Sequence, residues 1–138
     1  MKRKEKTVKI LLVDDEPDGE ILFLQKFRKE LKSGKLAIHF ANSGEGALAV
    51  LDGQDATDLV LILSDINMPG MNGLDLLAII KSKYVHIKVF MITTNGDSDT
   101  YHRAIEIGSD AFLTKPVDFN LVKEKISSLQ SGAAGFTM

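Results

Sequence analysis

The sequence predicts an α/β domain, a doubly wound five-stranded parallel sheet with helices on both faces. Two observations carry that reading. Short apolar runs alternate with stretches of helical period from residue 8 to about residue 130. Four of the five strand candidates also end in polar residues suited to one chemistry, and a parallel sheet gathers the carboxyl ends of its strands at one edge.

Taken in order, Lys9-Ile10-Leu11-Leu12-Val13 forms the first strand and stops at Asp14-Asp15. Pro17 then opens a helix behind Asp15 or Glu16 as cap, running to about Lys32. Ile21, Leu22, Leu24, Gln25, Phe27, Arg28 and Leu31 mark its amphipathic period, and Ser33-Gly34 ends it. Leu36–Ala41 is the second strand, and Ser43 caps a short helix through about Leu51. The third strand, Leu59 to Ser64, stops at Asp65 and meets the turn-rich Met68-Pro69-Gly70-Met71-Asn72-Gly73. A helix from about Leu74 to Ser82 turns Leu74, Leu77, Ala78 and Ile80 inward. The fourth strand, Lys88 to Ile92, ends at Thr93-Thr94. The fourth helix starts near Asp97–Asp99 and ends at Gly108. The fifth strand, Ala111 to Thr114, ends at Lys115-Pro116, and the fifth helix runs from about Asp118 to Leu129. Residues 1–7 read as a disordered lead-in and 131–138 as a linker stub, which suggests an excised N-terminal domain.

At 138 residues the chain makes one domain with a full core. Its net charge of -2 implies no general affinity for nucleic acid or anionic membrane, so neither is an expected direct partner. The absence of cysteine removes disulfides, thiol catalysis and thiolate metal sites. No apolar run approaches a membrane span and no signal-peptide core opens the chain, so the cytoplasm is the expected location.

The strand ends carry the chemistry. Two unit charges ~4 Å apart repel by about 4 kcal/mol at an effective dielectric near 20, so a cluster of Asp14, Asp15 and Asp65 invites a cation. Mg2+ takes hard oxygen ligands, one or two of them carboxylates, and keeps several waters. Asp15 and Asp65 suit direct ligation and Asp14 a metal-bound water, although Asp14-Asp15 alone could simply end a strand and cap a helix. Aspartate can form an acyl phosphate, and Asp65, central and followed by an open loop, is the candidate nucleophile. Mg2+, the Lys115 ammonium and the Thr93 hydroxyl would then neutralise the three phosphoryl oxygens.

On these residues the chain resembles the receiver domains of two-component response regulators, over residues 8–130. The resemblance is carried by Ile10-Leu11-Leu12-Val13-Asp14-Asp15-Glu16, by Ser64-Asp65-Ile66-Asn67-Met68-Pro69-Gly70-Met71-Asn72-Gly73, by Thr93, and by Lys115-Pro116. It implies a flavodoxin-like sheet of strand order 2-1-3-4-5. It implies that Asp65 takes phosphate from a sensor histidine kinase or phosphotransfer protein. Mg2+ would lie between Asp15, Asp65 and the Asn67 carbonyl, with Asp14 in support. Thr93 would move toward the phosphate with Phe112 swinging in behind it, changing the surface of the fourth helix, fifth strand and fifth helix for an output domain or effector. A homodimer through that surface and a cis Lys115–Pro116 bond follow by the same analogy. Such a module catalyses its own phosphorylation and dephosphorylation but is no metabolic enzyme.

Two positions depart from the family's commonest pattern. Phe112 stands where Tyr is frequent, and Thr94 where Ala or Gly is usual, which predicts narrower access to the phosphoryl group. Asn67 and Asn95 hold the positions that tune phosphate lifetime, and two amides predict moderate to slow hydrolysis. Other readings fit less. Gly44-Glu45-Gly46 followed by Asp65 imitates a dinucleotide fingerprint but leaves Asp14, Asp15 and Lys115 unexplained. A haloacid dehalogenase-like Mg2+ phosphatase would have its nucleophile on the first strand and a cap domain. A degenerate, docking-only receiver would not need the full acid set. His39, His86 and His102 lack ligand spacing, and Met68 and Met71 read as packing residues.

Overall fold

The structure, a computed structural model, describes residues 7–53, 58–94 and 97–131. Its elements run β1 (Val8–Val13), α1 (Pro17–Lys26), α2 (Arg28–Lys32), β2 (Leu36–Ala41), α3 (Gly44–Leu51), β3 (Leu59–Asp65), α4 (Gly73–Lys83), β4 (Lys88–Thr93), α5 (Ser98–Ile107), β5 (Ala111–Thr114) and α6 (Phe119–Ser131). All pairings are parallel, in the order β2-β1-β3-β4-β5. The predicted sheet is therefore the one found, and the predicted fourth and fifth helices are α5 and α6. Asn95, residues 1–6 and residues 132–138 lie outside the described residues.

Side chains alternate across the strands and build two cores. On one face Leu11, Val13, Ile62 and Met91 pack with Ala47, Leu77 and Ala104 of α3, α4 and α5. On the other, Ile10, Leu12, Leu63 and Ile92 pack with Phe23, Phe27 and Val122 of α1, the α1–α2 junction and α6. This two-sided burial explains why the strands read as continuous apolar runs.

Local chemistry explains the boundaries. Ser43 accepts the Gly46 N–H at 2.9 Å and starts α3, as expected. Asn72 and Asp75 form a reciprocal capping box at α4. Asp97 accepts the Thr100 N–H at 2.8 Å at the head of α5, which ends at Gly108.

Three details differ from the sequence reading. The first helix has no side-chain cap from Asp15 or Glu16; instead Asp14 Oδ1 accepts the Glu16 N–H at 2.9 Å. The helix also loosens at Phe27 (φ -105°, ψ 19°), though its ladder continues from Phe27 N–H to Phe23 O and from Leu31 N–H to Phe27 O. The inward stripe is Phe23 and Phe27, whose rings meet Phe119 at 5.0 and 6.0 Å, leaving Ile21, Leu22 and Leu24 exposed. An aromatic i, i+4 pair buries more apolar area than the aliphatic residues between, so it sets the rotation of the helix. In α4 the same competition buries Leu76 and leaves Ala78 outside.

Candidate functional site

Strand register brings the site together. Val13 pairs with Ser64, Ser64 with Met91, and Met91 with Phe112. Each strand's next residues therefore emerge at the same edge: Asp14, Asp65, Thr93 and Lys115. The Lys115 N–H donates to Thr93 O at 2.8 Å, and Ile66 N–H to Ile92 O at 2.9 Å, so main-chain bonds hold the ends in line past the strands.

The Lys115 ammonium lies 3.0 and 3.2 Å from the two carboxylate oxygens of Asp65 and 4.0 Å from Asp14 Oδ2. Carboxylate oxygens of Asp14, Asp15 and Asp65 all lie within 4.8 Å of one another. Thr93 is buried, and its hydroxyl accepts from the Asn67 side-chain amide at 3.4 Å. Thr94 is exposed at the end of β4. Phe112 stands two register rows behind Thr93, half-buried, with Tyr101 of α5 edge-on at 5.3 Å. The cis Lys115–Pro116 bond expected from the motif is present.

Two glycines make the geometry possible. A Cβ at Gly73 would stand 2.1 Å from the Asp65 carbonyl oxygen, so α4 can begin directly against the Asp65 peptide. A Cβ at Gly19 would stand 2.0 Å from Asp14 Oδ2, so the carboxylate occupies the space a side chain would fill. The glycine-rich opening of α3 serves packing: the space over Gly44 is taken by Met71, which leaves no room there for a dinucleotide's pyrophosphate.

Electrostatics follow from burial and neighbours. Burial pushes the Asp65 carboxyl up, the adjoining Asp14 carboxylate raises it further, and Lys115 only partly opposes, leaving a pKa of about 7. Burial works against the Lys115 ammonium, but the hydrogen bond and charge of Asp65, with Asp14 and Glu16, outweigh it and hold its pKa above the ordinary value. An acid so reluctant to ionise, beside two others, offers a group of carboxylates that could hold a cation. The donor set is oxygen only, which fits Mg2+ and not a metal that wants nitrogen or sulfur.

Two cavities flank the acids. One of about 420 Å³ opens beside Asp65 and Lys115 and runs between Leu22, Phe23 and Phe119. The other, about 570 Å³, adjoins Asp14, Asp15, Glu20 and Asn42.

Asp14, Asp15, Asp65 and Lys115 therefore come together, Thr93 meets Asn67, and Phe112 is set back. Sequence reasoning missed Gly19, the Asn67 amide on Thr93, and Tyr101. Gly19 had a signal, since glycine in a first helical turn forgoes about 1 kcal/mol of helix propensity and needs a reason. Tyr101 had none, because its contact with Phe112 is set by how α5 rests on β5.

Comparison with known proteins agrees with this geometry. The family model described as the response regulator receiver domain matches residues 10–127. The response regulator protein PilR of Pseudomonas aeruginosa is 36% identical over 121 residues, covering 87% of this chain and 25% of that protein. The nitrate/nitrite response regulator protein NarP of Escherichia coli is 30% identical over 128 residues, covering 93% of this chain and 57% of that one. The chain thus spans a quarter to just over half the length of these relatives. Among solved structures, a CheY-like response regulator receiver domain protein from Methanospirillum hungatei superimposes with a TM-score of 0.80 at 25% identity, covering 91% of this chain and 95% of that one.

Proposed function

The chain belongs to the response regulator receiver domain family of two-component signalling, and from that membership we propose that Asp65 accepts a phosphoryl group from the phosphohistidine of a sensor histidine kinase or phosphotransfer protein. An Asp65 carboxylate oxygen forms the new P–O bond as the donor's P–N bond breaks, and the released imidazole takes a proton from solvent. The observation that carries this reading is the Lys115 ammonium, held 3.0 Å from an Asp65 oxygen inside a cluster of three carboxylates. It is already positioned to neutralise a phosphoryl oxygen. The cavity beside Asp65 gives the donor histidine a way in.

We assign Asp14, Asp15, Asp65 and the Asn67 main-chain carbonyl to Mg2+. When bound, the ion supplies positive charge that relieves the acids' repulsion and offsets that on the phosphoryl oxygens. The phosphoryl dianion gives the Thr93 hydroxyl a strong acceptor that is present only in the phosphorylated state, so Thr93 shifts toward Asp65. Phe112 follows into the vacated space, and the α5-β5-α6 surface changes for an output domain, effector protein or second copy. Asn67, Asn95 and the bulk of Thr94 set the phosphate's lifetime. The domain works in the cytoplasm as a self-phosphorylating and self-dephosphorylating switch rather than as a metabolic enzyme.

The test is intact mass after incubation with Mg2+ and acetyl phosphate. One added phosphoryl group is expected, absent without Mg2+ and absent in Asp65→Ala. No addition to a folded protein would favour a docking-only domain.

A further inference from the structure

The net charge of -2 conceals a strong separation. Residues 14–20 hold five acids and no base. Residues 26–35 hold five bases (Lys26, Arg28, Lys29, Lys32 and Lys35) and one acid, Glu30. These segments sit at opposite ends of the sheet. The acids follow the carboxyl end of β1, while the Ser33-Gly34-Lys35 turn abuts its start, where Val8 N–H donates to Lys35 O at 3.0 Å. Six strand residues put about 20 Å between the two.

The basic end is uncompensated. Arg28, Lys29, Lys32 and Lys35 are exposed, and among the described residues none has a salt-bridge partner. The one acid of the stretch is turned inward: Glu30 meets Lys123 of α6 at 3.3 Å. In the sequence, residues 2–6 add Lys2, Arg3, Lys4 and Lys6 against Glu5. Thr7, the next residue, donates its hydroxyl to Gly34 O at 2.8 Å.

Aliphatic side chains border the charges. Because Phe23 and Phe27 take the inward positions, Ile21 (62% exposed) and Leu24 (42%) point outward. Arg28 and Lys32 follow them at helical spacing along the same outer face, through a ladder unbroken at Phe27. Lysines flanked by aliphatic residues suit a lipid interface, whereas nucleic-acid surfaces favour arginine and stacking aromatics. Both cavities described above are lined by Asp14, at the other edge.

We propose that the basic end formed by α2, the turn to β2 and the last turn of α1 docks on an anionic phospholipid surface, with Leu24 at its border. The acids of residues 14–20 are repelled by that surface, so docking fixes an orientation that leaves Asp65 at the far end of the strands. The attraction is electrostatic and short-ranged, fading within a Debye length and with added salt.

The test is co-flotation of the whole chain with vesicles of phosphatidylcholine alone or containing about one-third phosphatidylglycerol, at low and at physiological salt. Binding to the anionic vesicles only, weakening with salt, is expected. The triple variant Lys29→Glu, Lys32→Glu, Lys35→Glu should lower the partition coefficient at least ~10-fold, and Leu24→Asn several-fold. Both variants should still accept phosphate from acetyl phosphate, which keeps this outcome separate from that of the phosphoacceptor reading. Equal binding to neutral vesicles, no binding, or insensitivity to the charge reversal overturns the proposal. So does tighter binding to duplex DNA at the same salt, which would transfer the surface to nucleic acid.

Discussion

The edge that gathers Asp14, Asp65 and Lys115 and the face where Tyr101 meets Phe112 lie on the same sheet and are held in opposite ways. At the edge, backbone register fixes polar groups that repel one another, within 4.8 Å. On the α5–β5 face, side-chain packing holds two rings edge-on, half in solvent, with Ile105 exposed nearby. The edge is rigid and electrostatically unfavourable; the face is electrostatically quiet and lightly held. On the proposed reading, charge arriving at the first would be read by repacking at the second.

Relieving the acids should break this contrast most visibly. Asp14→Asn keeps an oxygen to accept the Glu16 N–H, so the loop into α1 survives while one charge goes. Without Mg2+ we expect Asp14→Asn and Asp15→Asn each to stabilise the protein by about 1–2 kcal/mol, roughly 3–8 °C in melting temperature. Both should lose phosphorylation by acetyl phosphate. Calorimetry with and without Mg2+ checks this, and a fall in melting temperature in both variants would show that the acids stabilise the fold.

Titration sharpens the same point. The folded-state pKa of Asp65, about 7, lies above its ordinary 3.8, so the folded protein holds that proton more tightly than the unfolded chain. The resulting stability is complete below about pH 4 and is lost as the pH rises through about 7. We expect the metal-free protein to lose on the order of 2 kcal/mol across that window, less than the full shift implies because solvent and Lys115 screen the site. Urea melts from pH 4 to 8 should show the slope in the native sequence and flatten it in Asp65→Asn. An equal slope in the variant would assign the effect to other groups.

Gly19 separates stability from site geometry. Alanine there gains helix propensity of up to about 1 kcal/mol but drives a Cβ into Asp14 Oδ2. Gly19→Ala should therefore melt no lower than the native protein yet bind Mg2+ several-fold more weakly, about 1 kcal/mol. Unchanged Mg2+ affinity would mean that Asp14 has other places to go.

The two regions also differ in how far the sequence revealed them. Asp14, Asp65, Thr93 and Lys115 were legible because each follows an apolar run, and parallel strands deliver whatever follows them to one edge. That logic needs only the order of strands, not the packing of any side chain. The rotation of α1 was not legible, since Phe23 and Ile21 are equally apolar and only the position of Phe119, almost a hundred residues on, decides which turns in. The charge separation had the same character: the summed charge was plain, but its placement at two ends required the sheet.

The smallest expected effect tests the face itself. The chain has no tryptophan and two tyrosines, and Tyr84 is engaged in a hydrogen bond to Asp52. In a Tyr84→Phe background, tyrosine emission reports Tyr101 alone, whose ring stands 5.3 Å from Phe112. If Phe112 moves inward when Asp65 is phosphorylated, Tyr101 loses an aromatic neighbour and its emission should change by roughly a tenth, a shift in contacts worth under about 1 kcal/mol. The change should require Mg2+ and acetyl phosphate and vanish in Asp65→Ala. Phe112→Leu should abolish it without slowing phosphorylation, because no main-chain bond that aligns the acids passes through that ring. Slowed phosphorylation in Phe112→Leu would instead mean that face and edge are one rigid unit, and the division of labour drawn from their packing would fail.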